Sequence, residues 1–303
     1  MNREKTVQTA IFIICALGLL LLPRLVSEVK LNLAIEILFF ALFATSFNIL
    51  FGYTGLLPFG HASSFGIGAY AFALLLNYNS HIPVLVLILF SGLMGMLGAL
   101  LIGSFCVRLK GAYFALLTLA FQQFLYAVAL KWREVTNGDD GMGISRPDFY
   151  LPGIGTISMV NMTNLYYLTL FVIALAILLC YLLLRTPLGN AMISIRENEE
   201  RASFLGYQTY YTKLAAFTIA GLFAGIAGGF FTFFAEFVST DTLDLNTATE
   251  VVIMAILGGT GSFLGPAVGV AFYMLFQDWV SGIDWIAGMK EHWLFFMGLI
   301  FVV

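Results

Sequence analysis

The sequence predicts an all-α membrane protein, a polytopic helical bundle of about eight to ten spans with broken or re-entrant segments, and three observations predict it. Hydrophobic residues make up 60% of the 303 and charged residues only 10%, against about 25% charged in a typical soluble domain. A water-soluble fold of this size cannot hide so much apolar surface. Apolar stretches recur at the length, about 20 residues, that crosses ~30 Å of hydrocarbon. Finally, 30 glycines are spread through those stretches, where they suit close helix packing in lipid.

The candidate spans lie near 7–23, 31–51, 56–77, 83–107, 111–130, 164–184, 213–236, 247–263, 264–281 and 290–303. Glycine and proline interrupt the pattern between Gly52 and Gly68 and again between Gly258 and Gly269. Both interruptions predict a broken or re-entrant helix. No Ser/Pro-rich linker or charge block divides the chain, so residues 1–303 read as one membrane domain. Arg3 and Lys5 precede the first apolar run, yet no A-x-A-like site follows Pro23, which predicts an uncleaved first span. The last stretch runs to Val303 without a polar tail, which reads as a chain cut short.

Net charge is −3, which points away from nucleic acid and anionic surfaces as main partners. Cys15, Cys106 and Cys180 each sit in an apolar segment without C-x-x-C spacing, so they read as packing residues and not as disulfide or zinc ligands. Lys and Arg in short loops set orientation. An inside N-terminus puts Arg3, Lys5, Arg108, Lys110, Arg185, Arg196, Arg201 and Lys213 in the cytoplasm, and Arg24, Lys30, Lys131, Arg133, Arg146 and Lys290 outside. The bias is small, but the segment 237–246 carries Asp241 and Asp244 with no basic residue, which favours the same orientation. Residues 131–164, including Asn137, Gly138, Asp139, Asp140 and Gly141, then form the main external loop.

The largest cytoplasmic insert is RTPLGNAMISIRENEERASFLGY, Arg185 to Tyr207. Thr186 suits an N-cap, Pro187 the first helical position and Gly206 the position after the end, so 186–206 reads as a short helix outside the membrane. Leu188, Met192, Ile195, Ala202 and Leu205 make one apolar stripe, and Arg196, Glu197, Glu199, Glu200 and Arg201 cover much of the rest. Such a helix either rests on lipid headgroups or docks a soluble partner. Its mixed charge favours the partner.

Residues that bear chemistry are few. No G-x-x-x-x-G-K-[ST] loop is present, and GGTGSFLGP has no lysine after its glycines, so those glycines read as turn and packing residues. Ion-coupled carriers keep intramembrane ionisable groups as relays, and this chain nearly lacks them. Glu36 reads as interfacial. Glu250 follows Thr247 at capping-box spacing, which would place it at an external helix start, and the lone His61 reads first as hydrogen-bonded packing. Asn48, Thr118 and Gln122 are uncharged polar groups inside spans; they either tie helices together or line a pathway. Gly221, Gly225 and Gly229 recur every fourth residue and form a ridge for close helix approach.

Five stretches are specific enough to carry a resemblance: GYTGLLPFGHASSFGIGAYAFALLL at 52–76, KGAYFALLTLAFQQ at 110–123, NGDDGMGI at 137–144, TPLGNAMISIRENEERASFLGY at 186–207 and ILGGTGSFLGPAVG at 256–269. In this order they resemble the branched-chain amino acid ABC transporter permeases, most closely the LivM-type subunit. Pro58 and the paired serines of HASSFG depart from the family pattern without altering the class.

The resemblance implies a type II ABC importer permease of the bacterial inner membrane, pairing with a homologous LivH-type permease, two cytoplasmic ATPase subunits and an external solute-binding protein. ATP and magnesium would sit on the partner subunits and no cofactor on this chain, which is a transport subunit and not an enzyme. The coupling role implied for the cytoplasmic helix falls on Gly189, Arg196, Glu197, Asn198, Arg201, Ala202, Leu205 and Gly206. Asn48, His61, Thr118, Gln122 and Glu250 are the candidate pathway residues. Alternatives are a related urea or amide ABC permease and, from another class, an ion-coupled carrier.

Overall fold

Lipid offers no hydrogen bonds, so apolar runs of this length satisfy their own backbone as helices. The computed structural model describes residues 18–151, 155–281 and 298. Residues 18–25 are helical and lead to α1 (Glu28–Asn48), α2 (Ala62–Tyr78), α3 (Val84–Cys106), α4 (Ala112–Lys131) and α5 (Met162–Leu184). Two short helices follow, α6 (Pro187–Glu197) and α7 (Glu199–Phe204). The chain then forms α8 (Thr209–Ala235), α9 (Leu245–Gly258) and α10 (Gly265–Ser281). Five helical stretches among these are long and apolar enough to cross a membrane: Glu28–Thr54, α3, α4, α5 and α8. The expected span at 290–303, most of the one at 7–23, and Arg3, Lys5, Cys15 and Lys290 lie outside the described residues.

Burial separates the centre of the bundle from its rim. Two thirds of the membrane-crossing windows of α1 and α8 are buried, against 28% for α4, so α1 and α8 form the axis and α4 stands at the edge. On α3 the buried face runs Leu87, Ile88, Ser91, Gly95, Ala99 and Ile102, while Leu89, Leu93, Leu97 and Leu101 point outward. Helical spacing thus divides the protein face from the lipid face.

Small residues let the axis close. The Gly221, Gly225 and Gly229 ridge of α8 finds its neighbour within this chain: a side-chain carbon on Gly225 would lie 2.6 Å from the Ser91 carbonyl and 3.0 Å from the Gly95 Cα. On the other side, Gly228 is pressed against the Phe65 carbonyl of α2. Helix α8 is therefore wedged between α2 and α3. Aromatic rings fill the wider gaps, with Phe43 and Phe65 stacked 4.5 Å apart and Phe39 edge-on to Phe231 at 6.0 Å.

Both glycine-rich interruptions break their helices. Past Asn48 the backbone widens into a π-turn, Ile49–Thr54, and Gly55 ends it with φ +74°. Residues 55–61 are not regular helix, and α2 restarts at Ala62. Helix α9 has 14 residues, about 21 Å at 1.5 Å per residue, which is short of a full crossing. It turns back at Gly259–Leu264 into α10, where Gly258 and Gly269 let the two backbones touch. The capping box expected at Thr247 and Glu250 is not formed: Asp244 caps α9 by accepting from the Asn246 amide, Thr247 donates to the Asp241 carbonyl, and Glu250 lies more than a turn inside.

Among its described residues the 131–164 segment carries a helical turn, Arg133–Thr136, a 3-10 turn, Gly138–Asp140, and short strands. Strand β1 (Met142–Gly143) pairs antiparallel with β4 (Phe237–Val238), and β2 (Phe149–Leu151) with β3 (Gly155–Ile157). Arg146 seals the end of α8. Its guanidinium donates to the carbonyls of Phe233 (3.3 Å), Phe234 (2.7 Å) and Met159 (3.3 Å) and pairs with Glu236 at 2.9 Å. Those helix-end carbonyls would otherwise lack partners, and a cation suits the negative end of the helix. Burial draws the Arg146 pKa below its ordinary value, and Glu236 opposes that.

Replacing Gly225 by Leu is expected to force α8 away from α3 and to destabilise the fold by roughly 2 kcal/mol or more. Gly143→Ala, where an added carbon meets nothing within 4 Å, should leave stability unchanged. Thermal unfolding in detergent micelles checks the pair.

Candidate functional site

A polar assembly lies where the apolar helices stop, at the face shared by the ends of α1, α3 and α5 and the starts of α4 and α8. There the insert expected as one helix is two, α6 and α7, set as a foot against the bundle. Thr186 occupies the N-cap position of α6 and Pro187 its first turn, but the hydroxyl of Thr186 donates back to the Leu183 carbonyl at 2.6 Å and makes no cap bond. Gly189 lies against the Leu184 backbone, which lets α6 fold tightly under α5. Helix α6 ends because Asn198 is extended. The Asn198 Oδ1 accepts from the Arg201 amide at 2.8 Å and caps α7.

Helix α7 closes with a Schellman motif: Gly206, at φ +92°, donates to Ser203, and Tyr207 donates to Ala202. This gives Gly206 the role its position predicts. The buried stripe consists of Gly189, Ala191, Met192, Ile195 and Ala202. Leu205, expected on that stripe, is instead 72% exposed: it is the C-cap of α7, past the last helical residue.

Charge holds the foot to the bundle. The buried ammonium of Lys213, on α8, lies 2.7 Å from Glu199 Oε1, and Lys110, from the α3–α4 turn, lies 3.5 Å from Oε2. Glu199 also stands in the first turn of α7, where a carboxylate suits the positive helix end. Arg196 Nη1 donates to the Gly52 carbonyl at 2.5 Å, and its Nη2 meets Glu197 at 3.2 Å. A cavity of about 110 Å³, lined by Thr54, Lys110, Arg196, Glu199 and Lys213 among others, separates foot and bundle. Arg185 lies over Tyr181 at 4.3 Å and Arg108 over Tyr210 at 5.6 Å, which fixes the adjoining turns.

The outward surface of the foot is a different chemistry. Phe204 is 91% exposed beside Leu205, with Glu197, Asn198, Glu200 and Arg201 exposed around them. An apolar knob with a charged rim, on a helix seated rigidly, is suited to insertion into a concave partner.

The five polar residues within the spans are spread through the bundle. Asn48 Nδ2 donates to the Ser262 carbonyl at 3.1 Å, joining α1 to the α9–α10 turn. Thr118 accepts from the Gly60 amide at 3.3 Å, joining α4 to the segment before α2. Gln122 Nε2 donates to the Leu243 and Asp244 carbonyls at 3.1 and 2.9 Å. His61 is buried, bonded to Ser46 at 2.8 Å and stacked on Phe43. Glu250 is half-buried on α9. Because their amides face carbonyls, Asn48 and Gln122 must turn their oxygens away, and neither Oδ1 nor Oε1 has a partner.

Residues 29–303 match the model of the family described as branched-chain amino acid transport system / permease component. This chain belongs to that family. It is 30% identical over 277 residues to the high-affinity branched-chain amino acid transport system permease protein LivM of Escherichia coli, covering 85% of this chain and 65% of the relative. It therefore spans just under two thirds of that relative's length. A probable branched-chain amino acid transport permease LivM of Methanocaldococcus jannaschii is 26% identical over 76% of this chain and 75% of its own. The guanosine ABC transporter permease NupQ of Bacillus subtilis is 28% identical over 43% of this chain and 41% of its own. No solved structure matches the chain.

Within the family chain, sequence reading singled out Arg196 and the foot but missed three things. It counted Lys213 and Lys110 only as loop charges and did not pair them with Glu199, because nothing in the sequence shows that 110, 199 and 213 meet. It passed over Phe204, which lies off the apolar stripe; an aromatic on the polar side of an amphipathic helix was the available signal. Arg146 entered only as a loop charge.

Glu199→Gln should leave the buried Lys213 ammonium without its carboxylate and cost about 3 kcal/mol. Adding Lys213→Met should recover most of that loss, a coupling that a denaturation cycle on the four proteins measures.

Proposed function

We propose that this chain is the membrane-spanning permease subunit of an ATP-driven importer of branched-chain amino acids, resident in a bacterial inner membrane with its N-terminus and foot in the cytoplasm. The observation that carries this reading is the exposed Phe204–Leu205 knob on a foot fixed to the bundle by Glu199, Lys213 and Arg196. Family membership and the permease names of the relatives support the transport class. The foot seats in a cleft of one of two ATPase subunits, which hold ATP and magnesium. A homologous permease subunit completes the pathway, and an external binding protein delivers the zwitterionic solute.

ATP moves such a machine only if its complex binds one permease state better than the other. Closure of the ATPases pulls the two feet, and the bundle passes from outward-open to inward-open. Glu197, Asn198, Arg201, Leu205 and Phe204 present the contact. Gly189, Ala202 and Gly206 shape the foot that carries it. The pathway set is Asn48, His61, Thr118, Gln122 and Glu250, whose few polar groups suit an aliphatic cargo.

Phe204→Ser with Arg201→Glu should weaken co-purification of the ATPases by at least about tenfold, equivalent to ~1.4 kcal/mol, while membrane insertion persists. Undiminished ATP-driven uptake in that variant would count against the reading, as would labelling of 186–206 from outside the cell. Competition of uptake by leucine, isoleucine and valine but not urea decides the solute class. Alanine at Asn48, Thr118 and Gln122 together should lower uptake at normal expression; unchanged uptake would remove them from the pathway.

A further inference from the structure

The foot touches the membrane helices at one place where the backbone itself is irregular. The π-turn Ile49–Thr54 widens the end of α1: Leu56 donates to the Leu50 carbonyl at 2.9 Å and the Thr54 hydroxyl to the Ile49 carbonyl at 2.9 Å. Such turns are rare in helices and frequent at functional sites. This one offers the Gly52 carbonyl sideways to the foot, and Arg196 Nη1 takes it. The Arg196 stem also packs on Gly55, whose φ of +74° ends the turn.

The opposite side of the same turn holds the α9–α10 hairpin. Gly52 has no side chain, and a carbon added there would lie 2.5 Å from the Thr260 carbonyl, so the hairpin turn rests on the α1 backbone. One helical turn earlier, Asn48 donates to Ser262 at 3.1 Å. Five residues, 48–52, thus bridge the foot and the hairpin. The hairpin is stiff across its own axis because Gly258 and Gly269 bring its backbones into contact. A shift at the turn therefore displaces both arms together. The Asn48–Ser262 tie is a single neutral hydrogen bond, and the other polar atom of Asn48 has no partner. It is a tie that can be broken and remade.

We propose that Arg196 is a positioning residue for transport: by holding the Gly52 carbonyl it fixes the π-turn, and through Gly52 and Asn48 that turn carries movement of the foot to the α9–α10 hairpin. This rests on the function proposed above. Arginine suits the task because its planar fork, held on one side by Glu197, directs the other nitrogen at the carbonyl.

The test uses the complete transporter in proteoliposomes and reads solute taken up per ATP hydrolysed. Arg196→Met, which keeps the stem and loses the donor, should lower that ratio about tenfold while the ATPases remain bound, and Arg196→Lys should restore at least part of it. Asn48→Ala should lower the same ratio without touching the foot. In a shared relay the double variant Arg196→Met with Asn48→Ala should be no worse than the poorer single variant. Wild-type ratios in either single variant, or multiplying effects in the double, would overturn this role and leave the proposed function standing. A wild-type chain that binds no ATPase would overturn the proposed function and this role with it.

Discussion

Close approach of backbones within lipid is the constraint on which this structure depends. Lipid tails are as apolar as leucine, so burying leucine between helices gains little there; contact between surfaces and satisfaction of polar groups decide association. Helix α8 meets that constraint with glycine on two faces, one against Ser91 and Gly95 of α3 and one against Phe65 of α2. With those faces closed, α1 is pinned by aromatic contacts to Phe65 and Phe231. The outer helices α3, α4 and α5 then turn their large side chains to lipid.

Beyond the ends of the apolar helices the rules change, and so do the residues. The foot is held by charge: a buried ammonium on α8, a carboxylate at the start of α7 and a guanidinium on the Gly52 carbonyl of the π-turn after α1. Each bond is charge-assisted and directional, so the foot is set in orientation as well as in place. Arg146 does the corresponding work on the far face, where it holds the carbonyls at the end of α8. The long axial helix is thereby anchored near both ends, by Lys213 at its start and by Arg146 at its end.

Much of this was legible in the sequence because lipid simplifies the code. Length and apolarity located α1, α3, α4, α5 and α8 within a few residues, and the spacing of Gly221, Gly225 and Gly229 identified a packing ridge. The start signal at Pro187 and the stop signal at Gly206 bounded the foot. What the sequence hid was geometric. Asn198 splits the foot because its side chain caps a second helix, an outcome that the single apolar stripe concealed. The Thr247–Glu250 spacing matched a capping box, yet Asp244, three residues earlier, captured the helix start. The meeting of Lys110, Glu199 and Lys213 depends on three separate elements, and no local pattern encodes it.

The polar residues of the spans follow from the same economy. Asn48, Thr118 and Gln122 each spend a hydrogen-bonding group on a backbone carbonyl or amide of another segment. In each case the segment joined is an irregular one: the α9–α10 turn, the stretch before α2, or the strand-to-helix link before α9. Regular helices need no such help, since their backbones are satisfied internally. These side chains therefore sit where the main chain leaves helical geometry. The unpartnered oxygens of Asn48 and Gln122 carry a penalty of roughly 1–3 kcal/mol each.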